Sequence, residues 1–187
     1  MQLYGTFTEK GYAFQAYLPS TDGEPIGFDL RLLIDDQVKY SLLIPMLYVP
    51  SFGVDASDVS KLEAALDKVL ELLPPAEQFD STVIAALDVL EASLGGVALR
   101  KSHAAGNRGS SGGVGRLGYV EDLFAQSFAS WLGGREAMDR WLGTRQQELG
   151  DRTPAEALHL GMVSDVLKLL QSQANEHGEG ASPAPIG

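Results

Sequence analysis

The stretch Gly113-Val114-Gly115-Arg116-Leu117-Gly118 has the Gly-x-Gly-x-x-Gly spacing of a dinucleotide-binding turn and stands just before an apolar-periodic segment. Such a turn works only when a buried strand delivers the glycines to a helix start and an acidic residue about 20 positions on meets the ribose. Here serines and glycines precede Gly113, so the segment reads as linker. Gly106 to Gly113 is no phosphate-binding loop either, because no lysine follows the glycines. His103, His159 and His177 lack ligand spacing, and no Gly-x-Ser-x-Gly elbow occurs. Without a cysteine there is no disulfide, thiolate metal site or cysteine nucleophile. Asp35-Asp36 and Glu121-Asp122 fall at a turn and at a helix start, where acids are expected on structural grounds alone. No catalytic residue, metal ligand or cofactor site is assigned, and the chain reads as a binding protein rather than an enzyme.

Charge narrows the partners. The 187 residues carry a formal net charge of -11, a field that repels phosphate backbones. A nucleic-acid partner is therefore not expected. Residues 98–118 are the exception, with Arg100, Lys101, Arg108 and Arg116 and no acid, but these are spaced by glycine without interleaved aromatics. The longest apolar run, Ser41 to Pro50, is broken by Pro45 and is far short of the roughly 20 residues of a spanning helix. No membrane association is expected. The N-terminal residues show neither a basic start nor an apolar core, so a cytoplasmic location is expected.

The elements that would position any site fall into two groups. Alternating β-prone residues in Gln2–Thr8 and Tyr12–Tyr17 flank Glu9-Lys10-Gly11, and Ile26–Ile34 and Val38–Val49 flank Asp35-Asp36. Two hairpins, hence an antiparallel meander of three or four strands, follow from that pattern. Pro45 and Pro50 put the last strand at an edge or stop it early. Residues 19–25 read as loop. Val59, Leu62, Leu66, Val69 and Leu73 make a helical stripe, capped by Asp55, Ser57 or Ser60 and ended by Pro74-Pro75. A second helix is predicted from Ser81 to Leu94, closed by Gly95.

After the linker the pattern is helical throughout. The predicted helices are Tyr119–Leu132, Arg135–Leu142, one started by Thr153 with Pro154 and Glu156, and one from about Met162 to Gln173. The expected organisation is an α+β fold: residues 1–97 as a small antiparallel sheet with covering helices, 98–118 as linker, 119–173 as an all-α domain and 174–187 as a disordered tail. Phe124, Phe128, Trp131, Met138 and Trp141 are expected in the core. One of the two tryptophans is expected to lie partly on a binding surface, where this residue is favoured.

Residues 123–171 resemble the toxin-binding domain of the Xre/MbcA/ParS antitoxin family. The resemblance is carried by a charged helix ending in Trp141-Leu142 and a polar stretch closing on Leu149-Gly150. Arg152-Thr153-Pro154, Ala157-Leu158 and a last helix with Val166, Leu169 and Leu170 complete it. Asp151 stands where the family usually has a second glycine, and strands stand where it usually has a helix-turn-helix. The resemblance implies a cognate toxin of the RES fold, NAD-consuming, held inactive by this domain. By the same resemblance Trp141, Leu142, Leu149, Arg152, Thr153, Pro154 and Leu170 shape the interface. The resemblance does not reach the sheet part, which is expected to supply homodimerisation or a second contact. The alternatives are a transcriptional regulator of that family that binds DNA, and an enzyme with a small-molecule pocket between sheet and helices.

Overall fold

The computed structural model describes residues 1–21, 24–46, 54, 56–96 and 114–179. The fold is α+β: a four-stranded antiparallel sheet at the N-terminus followed by helices. The strands β1 (Gln2–Glu9), β2 (Tyr12–Leu18), β5 (Gly27–Ile34) and β6 (Gln37–Pro45) lie in the order β1-β2-β5-β6. Both tight turns have left-handed backbones. Lys10 and Gly11 have φ of 50° and 80°, and Asp35 and Asp36 have φ of 51° and 60°. Two consecutive positive φ angles match the natural twist of a hairpin, and glycine or aspartate tolerates them at least cost. The 19–25 segment, read as loop, contains a two-residue ladder between β3 (Ser20–Thr21) and β4 (Glu24–Pro25). β6 is an edge strand and ends at Pro45, as its proline predicts; residues 47–49, which the sequence pattern also assigns to it, lie outside the described residues.

Side chains alternate across the sheet. Tyr12, Phe14 and Ala16 of β2, Phe28, Leu30 and Leu32 of β5, and Leu42 and Ile44 of β6 are buried on one face. Helix α1 (Ala56–Leu72) contributes Leu62, Ala65 and Val69 to the same core, with Leu73 just beyond its end. It begins at Ala56, so Ser57 and Ser60 are inside the helix and not its cap; Asp55 lies outside the described residues. Helix α2 (Ser81–Leu94) starts on Asp80, whose carboxylate accepts from the amides of Thr82 and Val83, and stops at the left-handed Gly95. On the opposite sheet face Asp29 is nearly buried, paired to Arg31 at 3.1 Å and accepting from the Ser41 hydroxyl, while Arg31 lies over the Tyr17 ring.

Four more helices follow: α3 (Val114–Phe128), α4 (Arg135–Leu142), α5 (Pro154–His159) and α6 (Val163–Glu179). α3 begins five residues before Tyr119, so Gly115 and Gly118 of the Gly-x-Gly-x-x-Gly segment sit inside a helix. Glycine in a helix costs about 1 kcal/mol relative to alanine. Burial of Val120, Phe124, Ala125 and Phe128 further along the same helix offsets that cost. The remaining linker residues, 98–113, lie outside the described residues. α6 likewise runs past Gln173 to Glu179, and residues 180–187 are outside the described set. Tyr12 to Leu170 contribute to one continuous apolar cluster, and α2 touches β6, α1, α3, α5 and α6. Among the described residues no helix is long and apolar enough to cross a membrane.

The seam between α2 and β6 is tight. A Cβ on Gly96 would collide with the Leu43 carbonyl and crowd the Glu91 side chain. Gly96→Ala is therefore expected to lower stability by about 1–3 kcal/mol, as overpacking does. Urea unfolding should show a lower midpoint with an unchanged slope.

Candidate functional site

The C-terminal helices are held around a chain reversal between α4 and α5. α4 ends at Gly143, and the next residues form one helical turn at Gln147–Leu149 before Gly150 and Asp151 reverse the chain with φ of 68° and 61°. Gln146 and Arg152 meet as an antiparallel bridge across the reversal. The Gln146 amide donates to the Arg152 carbonyl at 2.9 Å, and the Asp151 amide donates to the Gln146 carbonyl at 3.0 Å. Two successive left-handed residues make this geometry possible. Aspartate is one of the few non-glycine residues that adopts that conformation readily.

Buried groups pin the reversal to the core. Trp141, Leu142, Leu149, Pro154 and Leu170 are all buried, and the Trp141 ring stacks on Phe124. The Trp141 indole N–H donates to Gln173 Oε1 at 2.6 Å, and the Gln173 amide reaches Gln146 Oε1 at 3.4 Å. A chain of polar contacts thus runs from α4 through α6 to the reversal. α5 is fixed by a capping box. The Glu156 amide donates to Thr153 Oγ1 at 3.1 Å and the Thr153 amide donates to Glu156 Oε2 at 2.8 Å.

Above this frame is an open cleft of about 590 Å³ lined by Arg145, Gly150, Asp151, Arg152, Glu156, His159 and Leu160. Arg145 donates to the Asp151 carbonyl at 2.6 Å and lies 3.8 Å from its carboxylate. Arg152 has one nitrogen within 3.4 Å of the Leu149 carbonyl. The Thr153 amide holds the Glu156 carboxyl below the usual carboxylate range, with Arg145 and Arg152 adding to the effect. His159 Nε2 stands 3.4 Å from Glu121 Oε1 of α3. Leu160 is more than half exposed at the rim, and its carbonyl accepts from Lys68 of α1 at 2.9 Å. The cleft offers two guanidinium groups, the Asp151 and Glu156 carboxylates, the His159 imidazole and one exposed leucine at its rim.

Of the residues that the antitoxin resemblance marks, Arg152 faces solvent and Thr153 is half-buried, while the other five are interior. Trp131 is half-buried and Trp141 buried, so Trp131 is the more accessible tryptophan. Arg145, Asp151, Glu156, His159 and Leu160 were not singled out as site residues from sequence. The one available signal was the pair of arginines bracketing the Gly150 reversal. Among the described residues no cluster of three or more histidine, aspartate or glutamate side chains is arranged to hold a metal. No protein-family model, curated protein or solved structure matches this chain.

Glu156 provides a pH test of the frame. Its carboxyl is depressed in the folded state, so its contribution to stability is present above the ordinary carboxylate pKa and is lost as pH falls through the folded value. The stability difference between the native chain and Glu156→Gln should be largest near neutral pH and shrink in acid and in high salt. Denaturant midpoints measured across that pH range check it.

Proposed function

We propose that this chain is a binding protein that captures a partner protein on the cleft lined by the 145–152 reversal and α5, and that the partner is a RES-fold toxin held inactive there. One observation carries the binding part. The reversal at 146–152 is already built and anchored in the free chain, leaving Arg145 and Arg152 at a solvent-open cleft. A surface organised before contact avoids much of the ordering entropy that weakens flexible interfaces. Arginine is among the residues most often found to dominate interface energetics.

The identity of the partner rests on the resemblance of residues 123–171 to the antitoxin toxin-binding domain. The left-handed Asp151 supports that likeness, because it adopts at this position a conformation that glycine favours. In this reading the interior residues Trp141, Leu142, Leu149 and Leu170 act by holding the reversal in shape, and NAD chemistry belongs to the toxin.

The test is purification of the tagged protein from its native host, with mass spectrometry and stoichiometry of what accompanies it. A RES-type toxin is expected at about one copy per chain. Arg145→Glu with Arg152→Glu is expected to weaken that complex by about 2 kcal/mol or more, the scale of an interface hot spot, with an unchanged circular dichroism spectrum. Retention of a toxin by the double variant at native affinity, or a preparation with no toxin, overturns the proposal.

A further inference from the structure

The two edges of the sheet are treated differently. Along β6, Glu91 of α2 accepts from the Leu43 amide at 2.9 Å, and the backbone at Gly96 lies against the Leu43 carbonyl. The same strand carries Lys39 and ends at Pro45. Helices, lysines and prolines are the usual means of keeping a sheet edge from pairing with another chain. Among the described residues the other edge has none of these three, only a bulge between Leu3 and Gly5. Among the described residues β1 is hydrogen-bonded to β2 alone, and from Gln2 to Thr8 it contains no charge and no proline. Leu3 and Tyr4 on it are 49% and 43% exposed.

We propose that β1 pairs antiparallel with β1 of a second copy about a two-fold axis, joining the two four-stranded sheets into one. The register follows from the bulge in β1. Residues facing each other across an antiparallel pair must share a face, and a one-residue slip breaks that match. The ladder with β2 shifts between Leu3 and Gly5, which reverses the alternation. Leu3 is opposite Tyr17 and Thr8 is opposite Ala13, so both lie on the outer face. Tyr4 meets Phe28 at 5.2 Å and Phe7 stacks on Phe14 at 5.0 Å, so both lie on the core face. Pairing Leu3 with Thr8 and Tyr4 with Phe7 of the other copy therefore matches faces along both arms and is its own two-fold image. Gln2 then falls opposite Glu9. In that register the exposed Tyr4 ring gains an aromatic neighbour and Leu3 gains cover.

The self-complementary register, and not charge, favours a second copy as the occupant. Two chains of net charge -11 repel, and β1 is a neutral stretch along which their backbones can approach without setting like charges opposite one another. A single strand pair is at the small end of specific interfaces, so the dimer forms in proportion to concentration and tightens with salt.

The absence of cysteine makes the register testable. Leu3→Cys and Thr8→Cys variants of the full chain are mixed and oxidised. The mixture is expected to give a cross-linked product of twice 20.0 kDa, and each variant alone little of it. In the proposed register like cysteines are four ladder positions apart, because the bulge takes up one residue; at strand spacing that is about 13 Å, beyond disulfide reach. In sedimentation equilibrium the native chain should rise toward twice its mass with concentration. Thr6→Lys, which sets two lysines side by side at the axis, should raise the dissociation constant about ten-fold or more at unchanged circular dichroism. A single-chain mass at every concentration overturns the proposal, including the case in which β1 instead takes an extended peptide of another protein. Cross-linking of each variant to itself as readily as to the other also overturns it.

Discussion

From Ala85 onward helix α2 has almost no free side. Ala86, Leu87, Val89, Leu90 and Ala92 are all buried, and the helix packs on β6 in one direction and on α3 in the other. A helix apolar on both flanks is stable only when it is covered on both flanks. An antiparallel sheet with one apolar face needs a layer over that face. α2 meets both needs at once, because the side that covers the sheet continues round to the side that receives the C-terminal helices. Two of its polar groups reach the sheet: Glu91 takes the Leu43 amide and Asp88 takes the Tyr40 hydroxyl at 2.7 Å. Were α2 displaced, a buried amide and a buried carboxylate would lose their partner together, a loss that commonly costs more than a surface contact gains.

The rest of the helical half is arranged outward from that contact. α3 lies on α2 and offers Phe124 to Trp141, Trp141 is tied to Gln173, and Gln173 reaches Gln146 at the root of the reversal. Rigidity at the cleft is therefore inherited from the core. The reversal itself is short and polar, and left to its own hydrogen bonds it would be a surface loop of ordinary mobility. Lys68 adds a second tie, from α1 to the Leu160 carbonyl at the rim of the cleft.

Local signals were legible in the sequence and convergent ones were not. The hairpin turns could be read because Gly11 and Asp35-Asp36 are residue types that accept positive φ. α4 and α5 could be bounded because glycines, Thr153, Pro154 and Glu156 mark their ends. The start of α3 could not, since a glycine-rich run argues for linker until the burial of Val120 and Phe124 is known. The residues at the cleft were harder still. Arg145, Asp151, Glu156 and His159 are polar residues on separate elements, and only the reversal brings them together. The Trp141–Gln173 bond joins positions 32 apart with no periodic relation. The resemblance marked mostly interior residues because such motifs follow what the fold needs, and a fold does not by itself fix function.

The claim on which this account rests is that one core, centred on α2, ties the sheet to the helices that carry the cleft. Both tryptophans, Trp131 and Trp141, are in the helical half, so their fluorescence reports that half alone, whereas far-ultraviolet circular dichroism reports both. Equilibrium urea unfolding followed by the two signals on the same samples compares them directly. Coincident transitions with a single midpoint are expected, as in a two-state domain. A fluorescence transition separated from that of the circular dichroism would mean that the halves unfold independently, and would contradict the claim.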